Sequence, residues 1–228
     1  MKNLKDIITE KLNRTKSSLM LEKLKIGSKT QVKTYKYSPK SLEELKNIIK
    51  DILKEEGPDA NLNIIDVSDI TNMNGLFNIM EFGKQIEIGN IKVDDWNVSN
   101  VRNMCNMFLK CEKFNCDISN WDVSKVTDMS GMFFKCKEFN QDISKWDVSR
   151  VEIMDDMFNG CKKFNQDISK WNVSKVISME RIFSACHSFN QNLDSWKIKE
   201  GCETESAFNF CNSLKQKPKW YIEDIDEN

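Results

Sequence analysis

Hydrophobic and polar positions alternate in two different rhythms along most of this chain. In VTDMSGMFFKC, the apolar residues Val126, Met129, Met132, Phe133 and Cys136 fall on one helical face, with Thr127 and Asp128 placed to cap or favour its N-terminus. In ISKWDVS, Trp146 and Val148 alternate with Lys145, Asp147 and Ser149, the rhythm of a short strand. Both stretches recur every 25 residues. FNCDISNWDVS, FNQDISKWDVS and FNQDISKWNVS start at Phe114, Phe139 and Phe164. The columns run Trp96, Trp121, Trp146, Trp171 and Trp196; Phe108, Phe133, Phe158, Phe183 and Phe208; and Cys111, Cys136, Cys161, Cys186 and Cys211.

This self-similarity predicts an α/β solenoid of about six coils, each one strand and one helix or helical turn, with the strands stacked in parallel about 4.8 Å apart. One coil cannot stand alone: ordering its residues costs more than one buried Trp returns, so the repeated letters are those that touch the next copy of themselves. The column Asn115, Asn140, Asn165 and Asn190 is expected to bond turn backbone in each coil.

Upstream, LNIIDVSDITNMNGLF carries the same unit in degenerate form. Val67, Ile70, Met73 and Phe77 stand for Val98, Val101, Met104 and Phe108, and an insertion loop is expected near Gly83–Asp94. Four segments follow: 1–37, a basic helical segment; 38–60, a capping helix with Ser38 or Ser41 as cap and Gly57-Pro58 as stop; 61–212, the repeats; and 213–228, a C-terminal cap and acidic tail. The first segment carries ten Lys and Arg against three Asp and Glu. It reads as a helix docked on the cap or on a partner.

Composition narrows the function. A net charge of -1 with 30% charged residues gives no overall drive toward nucleic acid or anionic membrane, and no stretch is long and apolar enough to span a bilayer. Charged residues interrupt the first 27, so no secretory signal is legible and the chain reads as cytoplasmic on that ground. The cysteine register, with no C-x-x-C and His187 as the single histidine, indicates buried free thiols acting as small hydrophobes rather than disulfides or zinc. No nucleotide, nucleophile-elbow or metalloprotease motif is present, and no cofactor or catalytic residue is expected. Asp117, Asp142 and Asp167 suit turn hydrogen bonding; calcium between coils is the alternative.

The core FNxDISxWDVSxVTDMSxMFxxC resembles the bacterial surface-protein repeat of BspA-like leucine-rich-repeat proteins and mycoplasma lipoproteins, over roughly Tyr37 to Tyr221. That resemblance implies a right-handed, leucine-rich-repeat-like solenoid and a non-enzymatic, cell-surface or secreted protein engaged in adhesion. The partner-binding surface is expected in the variable columns: Lys125, Arg150 and Lys175; Lys145 and Lys170; and, between them, Asp122 and Asp147. The partner is expected to be a protein or glycan and the chain a monomer. The rival reading is an intracellular or phage-encoded scaffold whose basic N-terminal helix docks a partner.

Overall fold

Each 25-residue unit is built almost wholly of turns, and backbone hydrogen bonds join it to the next. The computed structural model describes residues 21–26, 29–78 and 88–222. Its regular elements come early in the chain. β1 (Leu21–Ile26) and β2 (Lys29–Thr34) form an antiparallel hairpin, followed by α1 (Leu42–Glu56) and a 3-10 turn at Leu62–Ile64. After that turn the described residues contain no helix and no strand.

The expected α/β solenoid of strand–helix coils, leucine-rich-repeat-like and right-handed, is therefore not what forms. Neighbouring units meet instead in single-residue parallel bridges near the start of each expected helix: Asn72 to Asn103, then Asp128, Ile153, Ser178 and Glu203 in succession.

Backbone torsions explain the missing helices. Gly131 (φ 58°) and Lys135 (φ 59°) both adopt the left-handed conformation, which an α-helix cannot accommodate. The same two slots are left-handed at Asn106 and Lys110, at Asp156 and Gly160, and at Arg181 and Ala185. Between them the chain makes tight turns, with Met132 N–H donating to Met129 O, Phe134 N–H to Gly131 O and Cys136 N–H to Phe133 O, at 2.9–3.1 Å. Alternate N–H groups point out of the unit instead. Those of Met129, Gly131, Phe133 and Lys135 donate to the carbonyls of Ile153, Asp155, Met157 and Asn159 at 2.7–3.0 Å. These four bonds run toward the C-terminal neighbour, and one runs the other way, Thr127 N–H to Arg102 O and Glu152 N–H to Thr127 O, each at 2.8 Å.

The expected strand is likewise a pair of turns. Trp146 N–H donates to Ile143 O (3.1 Å) and Val151 N–H to Val148 O (2.9 Å). The spacing Ile143, Trp146, Val148, Val151 buries one side of two successive five-residue bends, and its middle step of two imitates strand alternation.

Side chains add three further ladders. Trp121, Trp146, Trp171 and Trp196 each donate Nε1–H to a carbonyl 28 residues back, at 3.0–3.1 Å. Cys136, Cys161 and Cys186 aim their thiols at the carbonyls of Phe108, Phe133 and Phe158 at 2.8–3.0 Å, and all eight cysteines are free. Burial pushes these thiols up well above their ordinary range. Asn140, Asn165 and Asn190 N–H donate to Oδ1 of the asparagine one unit earlier at 2.9 Å, so this column ties neighbouring units together rather than its own turn. Between the ladders the rings stack, Phe108 on Phe133 at 5.8 Å and Trp171 on Trp196 at 6.5 Å.

At the N-terminal end, α1 is capped by Ser41, whose side chain accepts from Glu44 N–H, and stops at Gly57 (φ 87°). It adds Leu45, Ile49, Ile52 and Leu53 to the continuous core. The degenerate first unit is in register, with Phe77 stacked on Phe108 at 5.2 Å. Gly89 N–H already donates to Pro58 O at 2.8 Å, and Ile91 and Val93 are buried. The insertion expected near Gly83–Asp94 therefore ends before Gly89. At the other end Trp220 stacks on Trp196 (6.0 Å) and Tyr221 meets Phe208 edge-on (5.2 Å). Of the basic segment expected to be helical, 21–26 and 29–34 form the hairpin and 1–20 lie outside the described residues, as does the acidic tail beyond 222.

Candidate binding surface

The aspartates of the expected surface each hold a turn. Asp122 Oδ1 accepts the N–H of Ser124, and Asp147 Oδ1 that of Ser149, both at 3.0 Å. Asp117, Asp142 and Asp167 do the same for Ser119, Ser144 and Ser169. Bonds from the serine side chain and then the serine N–H hold all five carboxylates below the ordinary value of 3.8. Among the described residues no group of metal-ligating side chains gathers in a geometry that could hold an ion.

The cations are arranged differently. Lys125 is half-buried and donates to Asn100 Oδ1 at 2.8 Å. Lys145, Arg150, Lys170 and Lys175 are exposed. Their fields reach Asp142, Asp147 and Asp167, but no hydrogen bond or ion pair ties any of the four within the described residues. By contrast Lys137 pairs with Glu112 (2.6 Å), Lys163 with Glu138, and Arg181 with Asp156 through two bonds of 3.1 Å. Lys145 and Lys170 lie one unit apart, as do Arg150 and Lys175, which is roughly 4.8 Å along a hydrogen-bonded stack. His187 is exposed, in the slot of Glu112, Lys137 and Lys162.

Columns of cations without a partner among the described residues, spaced by the bonds between units, make a ruled surface suited to contacts repeated at a fixed interval. Sequence reading located both cation columns but not the distinction within them, because pairing depends on neighbours 25 residues away. The ladder column itself, Asn103, Asp128, Ile153, Ser178 and Glu203, went unnoticed. Its backbone makes the contact, so its side chains vary freely and leave no signal.

The family model described as "Mycoplasma protein of unknown function, DUF285" matches this chain twice, over residues 43–148 and 116–221. The chain belongs to this family. The two matches overlap and run from α1 to Tyr221, so the DUF285 assignment spans both the capping helix and the repeats. No curated protein and no solved structure matches the chain. No helix of the described residues is long and apolar enough to cross a membrane.

Proposed function

We propose that this DUF285 protein is a non-enzymatic binding module, adhesin-like, that engages a protein or glycan through the exposed side of its repeats. The observation that carries this reading is the set of four exposed cations, Lys145, Arg150, Lys170 and Lys175, unpaired among the described residues and held at unit spacing on a hydrogen-bonded scaffold. Long charged side chains with no partner among the described residues are available to bond an external one, and their interval selects a ligand with its own repeat. The resemblance to BspA-like surface proteins supports an extracellular ligand.

The test is direct binding of the full chain to immobilised matrix proteins and to neutral and sulfated glycans, beside a variant with Lys145, Arg150, Lys170 and Lys175 all changed to Gln. The reading expects binding that falls at least about tenfold in the variant, with folding unchanged. Equal binding by both proteins, or none by the natural chain, contradicts it.

A further inference from the structure

A ladder of side-chain amides runs beside the asparagine column and stops at the last junction. Gln141, Gln166 and Gln191 each donate Nε2–H to the carbonyl of the asparagine one unit earlier, Asn115, Asn140 and Asn165, at 2.9–3.2 Å. Gln216 holds the next slot. Among the described residues its carboxamide meets no partner, and the Asn190 carbonyl accepts no hydrogen bond.

The cause is legible in the chain. Phe114 to Trp121, Phe139 to Trp146, Phe164 to Trp171 and Phe189 to Trp196 keep one spacing, and Leu214 to Trp220 is one residue shorter. Both ends of the short segment stay in register. Leu214 N–H donates to Cys211 O as Phe189 N–H does to Cys186 O, each at 3.1 Å, and Trp220 stacks on Trp196 and donates Nε1–H to Leu193 O (2.8 Å). Leu214 also fills less space than the stacked rings of Phe164 and Phe189 before it. A cleft of about 280 Å³ results, lined by residues 190–192, 194 and 214–217.

The chemistry of the lining selects its occupant. The volume lies just below the roughly 300–1,000 Å³ of clefts that hold drug-sized ligands, which limits the occupant to about one sugar ring. The Asn190 carbonyl, the Gln216 carboxamide and Asn192 Nδ2 have no partner among the described residues and set donors beside acceptors. Hydroxyl groups match that mixture, because each both donates and accepts. Leu214 is the one apolar residue of the lining and suits the C–H face of a ring. Two of the lining residues are lysines: Lys215 is exposed, and Lys217 stands over the Tyr221 ring at 5.2 Å. The single carboxylate, Asp194, is already taken by Lys219, through N–H at 2.9 Å and Nζ at 3.5 Å. The cleft is therefore cationic. We propose that it takes one acidic sugar residue, with hydroxyls on the Asn190 carbonyl, Asn192 and Gln216 and the carboxylate on Lys215. This site goes beyond the cation columns and does not rest on them.

Heteronuclear NMR titration of the isotope-labelled full chain with sodium glucuronate, glucose and sodium acetate tests the proposal. Glucuronate is expected to shift the backbone amides of Gln191, Asn192, Lys215 and Gln216 to saturation with a Kd on the order of 1 mM, and glucose and acetate to bind at least about tenfold more weakly. Lys215 and Gln216 are exposed, so Lys215→Gln and Gln216→Ala keep the natural thermal midpoint, which verifies their fold. Each variant should bind glucuronate about fivefold more weakly or worse, the worth of one lost hydrogen bond. No shift at these amides, acetate or glucose binding as tightly as glucuronate, or glucuronate affinity unchanged in both variants would each overturn it.

Discussion

Asn140 N–H donates to Asn115 Oδ1 at 2.9 Å, and Asn140 Oδ1 in turn accepts from Asn165 N–H at the same distance. One side chain thus terminates the backbone of the following unit while its own backbone is terminated by the preceding one. Replacing Asn140 by Ala removes one of these links and strands the Asn165 N–H. Denaturant unfolding at neutral pH should show a loss of about 1–2 kcal/mol. A midpoint equal to that of an exposed control substitution would show that the column is ornamental.

Trp146 combines burial with a hydrogen bond from Nε1–H to Ile118 O at 3.1 Å. Trp146→Ala should destabilise by about 3–5 kcal/mol. Trp146→Phe keeps a ring in the stack but leaves the Ile118 carbonyl without its donor, for a loss of about 1–3 kcal/mol. The order natural, Phe, Ala in unfolding midpoint is the expected result; equal losses for the two variants would deny the hydrogen bond its role.

Left-handed slots give a pair of opposite predictions. A Cβ at Gly131 (φ 58°) would run into Asn106 Oδ1, so Gly131→Ala should destabilise by about 2 kcal/mol or more. Ala185 holds φ 55° with a Cβ already present, and Ala185→Gly relieves that conformation for a gain of about 0.5–1 kcal/mol. Stabilisation by glycine inside a true helix would not occur, so the sign of the Ala185 change separates the two structures.

The core columns were legible because burial is a side-chain requirement repeated in every unit. Met129, Met132, Phe133 and Cys136 were read correctly as facing inward. The backbone beneath them was not, since steps of three and four residues serve a helix and a run of tight turns equally. Gly131 and Gly160 hint at left-handed slots, but Lys135, Arg181 and Ala185 fill the same slots and carry no sequence signal. At the surface, the columns of Lys145 and Arg150 followed from register alone. That Lys125 bonds Asn100 and that Asp147 serves Ser149 follows only from geometry.

Buried thiols make stability fall at high pH. Burial raises the folded-state values of Cys136, Cys161 and Cys186 well above the ordinary 9.0. The unfolded chain therefore releases these protons first. Their contribution is complete below pH 9.0 and is lost as pH rises from there toward the folded values, at about 1.4 kcal/mol per pH unit for each thiol. Cys136→Ser with Cys161→Ser should flatten this decline by about two such increments, measured as unfolding free energy against pH. An unchanged slope would place the thiols in water.

The account rests on N–H groups that cross between units where a helix would turn inward. Through-hydrogen-bond scalar couplings in a deuterated, isotope-labelled sample report each donor–acceptor pair directly. The structure predicts couplings from Gly131 N to the Asp155 carbonyl carbon and from Phe133 N to that of Met157. Couplings from Gly131 N to Thr127 and from Phe133 N to Met129 would instead establish the helix, and with it a different molecule.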